Sequence, residues 1–313
     1  MNEFPARLKE NLTKVIVGKD DTIEMLIAAV LAGGHVLLED APGTGKTTLA
    51  LALARSLGLK FKRLQLTPDT VASDITGYSA YDPAKGGMVF HAGAAMTNLL
   101  LADELNRTSG RTQSALLEAM EEGQLTVDGV TYPLPKPFTV IATQNPVGTA
   151  GTAAIPLSQL DRFMVRLSLG APDSESLKKL LTDRASADPL ESVEEVCGAE
   201  ELSAIKEDIS AVTFSEELTD YVCALWQAIA DSEDTLCGIS PRGALALCRI
   251  ARAGAYLDGR DYVVPSDIRV CFSAVCAHRL TLTREAKAAG RSAEDVLAAV
   301  LKAVPCPENR GNK

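Results

Sequence analysis

Basic residues are scarce relative to acidic ones in this chain. Its 31 lysines and arginines stand against 41 aspartates and glutamates, a formal net charge of −10. That balance argues against broad phosphate-backbone binding, which needs an excess of basic residues on one face, and suits solubility instead. Histidine is nearly absent, and the three present are too scattered for a metal constellation. No two cysteines have C-x-x-C spacing, and the seven present (Cys197, Cys223, Cys237, Cys248, Cys271, Cys276 and Cys306) are odd in number. They read as reduced, half-buried small residues of a cytosolic protein rather than as disulfides or metal ligands. No signal peptide opens the sequence, and the longest apolar run, Met25 to Ala32, is far too short to span a bilayer. Aromatics make up only 4% while hydrophobic residues reach 46%, which suits an alanine- and leucine-rich α/β protein with ample core over 313 residues. The expectation is a soluble, cytoplasmic protein with neither a membrane nor nucleic acid as its partner.

What the chain does have is concentrated in one stretch, Glu39-Asp40-Ala41-Pro42-Gly43-Thr44-Gly45-Lys46-Thr47-Thr48. It lies between the apolar run Val36-Leu37-Leu38 and a helical segment from Leu49 to Leu57. Strand, glycine loop and helix form the context in which a phosphate-loop pattern is a credible nucleotide site. Gly43 and Gly45 let backbone N–H groups converge on phosphate oxygens where side chains would collide. Lys46 is placed to reach the β- and γ-phosphates and Thr47 to hold magnesium, with the helix N-terminus adding its positive dipole end. Pro42, Thr44 and Thr48 complete the candidate nucleotide contacts. Asp40 stands where the G-x-x-x-x-G-K-[ST] pattern has its first glycine, so its carboxylate must point away from the phosphates.

A second motif supports the first. Asn98-Leu99-Leu100-Leu101-Ala102-Asp103-Glu104 reads as a buried strand ending in two carboxylates. Consecutive residues at a strand end diverge, so one acid can face the water shell of a metal and the next the attacking water. Asp103 is the candidate on the magnesium side, acting through water, and Glu104 the candidate to polarise the hydrolytic water. Read alone, the pair could equally be two acids solvating a strand end. The strand Thr139–Thr143 leads into Gln144-Asn145-Pro146, where an amide is donor and acceptor at once and suits both γ-phosphate and water. By itself, Asn-Pro marks only a turn.

The first half alternates strand and helix. Strands are expected at His35–Glu39, Phe61–Leu66, Leu99–Ala102, Thr139–Thr143 and Met164–Leu169, and helices near Asp20–Ala32, Lys46–Leu57 and Arg111–Glu122. Short apolar runs of this kind predict five parallel strands buried between helices on both faces. Two shorter pieces interrupt the pattern. Tyr78 to Phe90 carries turn signals at Asp82-Pro83 and Gly86-Gly87, and Gln124 to Leu134 reads as a hairpin turning at Asp128-Gly129. From Ser174 to Val304 nearly everything is helical, with caps at Ser240-Pro241 and Pro265-Ser266-Asp267. A boundary near residue 171 divides the chain into a nucleotide-binding core, 1–171, and an all-α domain, 172–313.

The sequence resembles the MoxR family of AAA+ ATPases. The resemblance is carried by HVLLEDAPGTGKTTLA, TPDTVASDITGY, NLLLADELNRTSGRTQSALLEAMEEGQLTV, FTVIATQNP, GTAAIPLSQLDRF, ISPRG and GRDYVVPSDI, which together cover most of residues 15–270. It implies an αβα nucleotide core followed by a helical lid, using ATP and Mg²⁺. Val17 and Gly18 match the adenine contact, Lys46 and Thr47 the phosphate-loop pair, Asp103 and Glu104 the metal-side and water-activating acids, and Asn145 the first sensor. Arg162 matches an arginine finger offered to a neighbouring subunit, and Arg242 a second sensor, its guanidinium set at a helix start beside phosphate. Residues 78–90 and 124–134 resemble the helix-2 insert and pre-sensor hairpin.

Arg107 and Arg111 are further candidates for contact across a subunit boundary or for a plain surface role, and Gln65 and Thr67 for restraining Glu104. The family also implies a hexameric ring, chaperone-like remodelling of partner proteins, and a von Willebrand factor A-domain protein as partner. The chain departs from related sequences at Gly148 and Leu157, where acidic residues are usual, which bears on subunit contacts. The competing expectations are an ATP-switched scaffold with negligible turnover and a nucleic-acid-linked motor.

Overall fold

The computed structural model describes residues 4–41, 43–145, 152–183 and 188–308. The chain opens with two helices, α1 (Phe4–Val15) and α2 (Asp20–Leu31), then β1 (Val36–Glu39), α3 (Lys46–Ser56) and β2 (Phe61–Gln65). A short α4 (Ala72–Thr76) precedes the hairpin β3 (Gly77–Asp82) and β4 (Gly87–Ala92). Next come β5 (Leu99–Asp103), α5 (Gly110–Glu122), the hairpin β6 (Gln124–Val127) and β7 (Val130–Pro133), and β8 (Thr139–Gln144). One turn of helix, α6 (Leu157–Leu160), leads to β9 (Val165–Leu167).

The remainder is mostly helical: α7 (Ser174–Asp183), α8 (Ala199–Ala211), α9 (Glu216–Ala230), α10 (Pro241–Leu257), α11 (Pro265–Cys276), α12 (Arg284–Ala288) and α13 (Ala293–Ala303). It also contains a small antiparallel pair, β10 (Thr235–Cys237) with β11 (Thr281–Leu282), which corrects the all-helical expectation. Two- and three-residue strands are too short to leave an alternation in the sequence.

Five strands form one parallel sheet in the order β2-β5-β8-β1-β9. Its three inner strands, β5, β8 and β1, bury both faces, whereas the edge strand β2 is largely exposed. Leu37, Leu100, Ala102, Val140 and Ala142 pack with Leu116, Leu117 and Met120 of α5. Val36, Leu38, Leu99, Leu101 and Ile141 face the other way, onto Leu8, Ile23, Leu26, Leu49 and Leu53 of the first three helices. The period of two with apolar residues at both phases explains why these strands read as unbroken hydrophobic runs. The second layer continues into the helical part, where Leu225, Leu247, Ile250 and Phe272 join the same cluster.

Caps set the element ends. Ser109 Oγ accepts the Thr112 N–H at 3.3 Å and Gly123, at φ 62°, closes α5. The β6–β7 turn uses Asp128 at φ 51° and Gly129 at φ 78°, two successive left-handed residues that match the twist of a tight hairpin. All seven cysteines are free thiols, and burial pushes those of Cys197 and Cys276 up to about 12, which keeps them unreactive. Among the described residues no helix is long and apolar enough to cross a membrane.

His35 pins the entrance to β1. Its Nδ1 accepts the Val140 N–H at 3.0 Å, so Nε2 carries the proton and donates to the Met120 carbonyl at 3.1 Å. Burial lowers its pKa from the ordinary 6.5 to about 4. The unfolded chain therefore binds a proton between those values that the folded chain refuses. Stability is complete above about pH 6.5 and is lost as the pH falls toward 4, by about 3 kcal/mol from this residue. His278, fully buried where His35 is half-buried, is pushed down by desolvation and Arg279 and adds in the same direction. Thermal unfolding followed between pH 7 and 4 should show a shallower loss for His35→Gln than for the wild type; equal slopes would refute the assignment.

Candidate active site

Parallel strands place their carboxyl ends along one edge of the sheet, where loops leave for the covering helices. The register sets β1, β8 and β5 side by side, with Glu39 opposite Gln144 and Leu101 opposite Ile141. Lys46, Asp103, Glu104 and Asn145 thus arrive at one edge although a hundred residues separate the first from the last.

The loop after β1 turns through Gly43 at φ 87° and Gly45 at φ 93°, conformations that a side chain would strain. Gly45 stands at the start of α3, and no side chain caps that helix, leaving its first N–H groups to be met by a ligand. Lys46 is buried and its Nζ donates to the carbonyls of Asp40 at 2.7 Å and Ala41 at 3.3 Å. Burial lowers its pKa, opposed by the nearby charges of Asp40, Asp103 and Glu104. Thr47 and Thr48 are half-buried on the first turn of α3, beside Thr44 in the loop. Pro42 and Gly148 lie outside the described residues. Val17 and Gly18 form the turn between α1 and α2, with Gly18 at φ 72°.

The carboxylates at the end of β5 are held by a dense set of partners. Asp103 Oδ1 accepts from Thr143 Oγ1 at 2.6 Å, and Oδ2 from Arg63 at 2.7 Å. Glu104 has φ 59° and ψ 48°, a left-handed conformation costly for a residue with a Cβ, and its N–H is met by Thr143 Oγ1 at 2.8 Å. That turn swings its side chain away from Asp103. Glu104 Oε2 accepts from Gln65 at 2.9 Å and from Arg107 at 2.8 Å, and Oε1 accepts from Asn145 Nδ2 at 3.3 Å. Gln65 thus reaches Glu104 as expected, whereas the Thr67 hydroxyl bonds Thr70 instead. Arg107 is paired within the site, and Arg111 is exposed on the first turn of α5.

Thr143, Arg63 and Asn106 are the residues that sequence reasoning missed. Asn106, 2% exposed, donates to the Asn145 carbonyl at 2.9 Å and accepts its N–H at 3.4 Å, so it sets the backbone from which Asn145 projects. Its position two residues beyond Glu104, inside an otherwise motif-like run, was the available signal.

Arg162 and Arg242 are not brought to this cluster; they are brought to each other. Glu121, at the end of α5, pairs with both: Arg162 Nε lies 3.3 Å from its Oε2, and Arg242 Nη2 bonds its Oε1. Arg162 also donates to the Leu117 carbonyl at 2.6 Å. Both arginines line a cleft of about 370 Å³ with Gly34, His35 and Arg249. His35 precedes β1 while the glycine loop follows it, so the pair occupies the opposite edge of the sheet. Strands of four to six residues put about 13–20 Å between those edges. The placement of Arg242 beside phosphate in its own subunit is accordingly not what the fold presents. The reason is the anchoring of α10, whose Ser240 Oγ accepts Gly243 N–H and donates to the Asp161 carboxylate at 2.8 Å. Buried Arg279 grips the same carboxylate at 2.8 Å and the carbonyl of Phe163 at 2.7 Å.

The donor types suit a hard cation: a Thr47 hydroxyl and an Asp103 carboxylate are oxygen ligands. Among the described residues no group of three His, Cys, Asp or Glu could hold a metal by itself. A cation here would rest on phosphate and water as well as on these two.

A five-stranded parallel sheet with this loop and acid pair defines an AAA-type ATPase core. Residues 35–165 match the model of the ATPase family associated with various cellular activities (AAA), and residues 227–300 match the AAA lid domain. The chain is 43% identical to the Bacillus subtilis protein YeaC over 96% of its length and 94% of that protein. It is 35% identical to the chaperone MoxR1 of Mycobacterium tuberculosis, covering 94% of this chain and 80% of the relative, and 32% identical to the protein MoxR of Methylorubrum extorquens, covering 96% and 95%. A crystal structure of a Cytophaga hutchinsonii protein superposes with a TM-score of 0.89 at 36% identity, over 97% of this chain and 96% of that one. The chain belongs to the MoxR family of AAA+ ATPases.

Replacing Asn106 by alanine leaves the Asn145 carbonyl buried without its donor, a loss of about 1–3 kcal/mol. Thermal unfolding should report that loss, and ATPase turnover should fall further than the stability change accounts for. Unchanged turnover would show that Asn145 needs no such support.

Proposed function

We propose that ATP binds with Mg²⁺ at the loop before α3 and is hydrolysed there by a water that Glu104 polarises. Lys46 meets the β- and γ-phosphates, Val17 and Gly18 border the adenine, and Pro42, Gly43, Thr44, Gly45 and Thr48 line the phosphates. Magnesium, held by Thr47 and, through water, by Asp103, neutralises phosphate charge. Asn145 spans the γ-phosphate and the water. The observation that carries this reading is the convergence of Lys46, Asp103, Glu104 and Asn145 at the carboxyl ends of neighbouring strands.

Arg162 and Arg242, on the far edge, are read as serving a neighbouring subunit together. A ring is the assembly that gives every site such a neighbour, and by family resemblance it is a hexamer. The division of the chain near residue 171 into core and lid belongs to the same reading, as does a cytoplasmic location. The name of the mycobacterial relative, a chaperone, supports a chaperone-like role in remodelling partner proteins; a von Willebrand factor A-domain protein is the partner that the family resemblance implies. The restraint of Glu104 by Gln65, Arg107 and Asn145 favours a second reading, a scaffold that binds ATP and turns over negligibly until something releases that carboxylate.

Steady-state ATPase activity per subunit, measured with Mg²⁺ across protein concentration, separates the two. Activity should climb with concentration and fall by about 10³-fold or more in Arg162→Ala, the scale of an arginine finger. Activity that stays flat and near zero despite ATP binding selects the scaffold. Glu104→Gln should retain ATP while losing at least about a hundredfold in turnover; undiminished turnover would remove Glu104 from its role.

A further inference from the structure

Asp40 occupies the place where a phosphate loop ordinarily has glycine, and it is 5% exposed. Its carboxylate does not face the phosphate side. Oδ1 accepts Ser168 Oγ at 2.7 Å and Gly170 N–H at 2.9 Å, while Oδ2 accepts Leu169 N–H at 2.8 Å. Three charge-assisted bonds therefore run from the loop to the chain that leaves β9 for the helical part. The carbonyl of the same residue accepts Lys46 Nζ at 2.7 Å. One residue thus holds the candidate phosphate-binding lysine with its backbone and the exit segment with its side chain.

Other contacts converge on that segment. Lys19 Nζ donates to Ala171 O at 2.9 Å and Thr22 Oγ1 to Ser168 O at 3.3 Å. Asp173 Oδ1 accepts Ser176 N–H at 2.7 Å at the start of α7, and Ser176 Oγ would lie 2.2 Å from a Cβ added at Gly18. The turn assigned to adenine and the loop assigned to phosphate therefore both abut residues 168–176. A parallel thread runs from Glu39 through Arg166 to Glu294 on α13, at 3.1 and 2.8 Å.

We propose that Asp40 is a positioning residue that couples the phosphate loop to residues 168–176, so that nucleotide in the loop changes the order of the segment leading into the helical part. The proposal rests on the reading of the Lys46 loop as the ATP site. Its energetic content is a coupling between loop occupancy and the state of the exit segment, carried by three identified bonds.

The test uses the full chain and four variants: Asp40→Ala, Asp40→Asn, Ser168→Ala and Lys46→Ala. ATP affinity is measured by calorimetry with Mg²⁺, kcat by steady-state assay, and amide hydrogen exchange over 168–183 with and without ATP. In the wild type, ATP should slow exchange at Leu169 and Gly170. In Asp40→Ala, ATP should still bind within about threefold of the wild-type Kd, the ATP-dependent protection should vanish, and kcat should fall about tenfold. Asp40→Asn should fall between, because its amide can accept at Gly170 but meets Leu169 N–H with a donor. Ser168→Ala, which removes one bond and no backbone partner, should show the mildest form and serves if Asp40→Ala does not fold. Wild-type protection by ATP in Asp40→Ala would overturn the coupling. So would loss of ATP binding in Asp40→Ala matching that of Lys46→Ala, which would make Asp40 a builder of the loop alone. Undiminished ATP binding in Lys46→Ala would instead sink the underlying site, which distinguishes the two failures.

Discussion

Everything at the candidate site depends on β1 lying inside a parallel sheet with β8 on one side and β9 on the other. Parallel pairing leaves the carboxyl ends of β1, β5 and β8 on one edge, and right-handed crossovers return the chain over the faces. The loop after β1 is thereby set beside the acids after β5 and the amide after β8. The same constraint sends α5 back across the face and delivers Glu121 to the other edge, among Arg162 and Arg242. Two chemically distinct edges follow from one topological rule.

The two acids at the reacting edge are each met by several partners. Asp103 is 8% exposed and is met by Thr143 and Arg63, and Glu104 is met by Gln65, Arg107 and Asn145. Buried Asp103, left unpaired, would cost several kcal/mol, so it needs its partners. Pairing also restrains, because a carboxylate engaged by a glutamine and an arginine is not free to polarise water. Hydrolysis on this reading requires some of those bonds to exchange.

Much of this was legible in the sequence, and the reasons differ from element to element. The run Val36 to Leu38 followed by the glycine loop announces β1 and α3, because apolar runs and left-handed glycines are local properties. Asp128-Gly129 announces its hairpin for the same reason. By contrast α1 is faint in the sequence, although Phe4, Leu8, Leu12 and Val15 recur at helical spacing and are buried; its signal is four apolar residues in a polar segment. Tyr78 to Phe90 showed its turns but not its partner, the stacking of Phe90 on Tyr132 of the second hairpin at 3.9 Å. For Asp40 the chemistry was readable, since a carboxylate cannot face phosphate. Its partners, some 130 residues away, were not.

The arginines show where pattern and geometry part company. A motif assigns each guanidinium a duty but not a direction, and the fold supplies the direction. An arginine side chain reaches about 7 Å from its Cα, while the two edges of the sheet are separated by roughly 13–20 Å. Arg162 and Arg242 therefore cannot serve the loop of their own chain without dismantling the bonds of Asp161 to Ser240 and Arg279. On the proposed reading, a head-to-tail contact would set the cleft of one copy against the loop of the next, and a rotation that closes on itself would make that contact a ring.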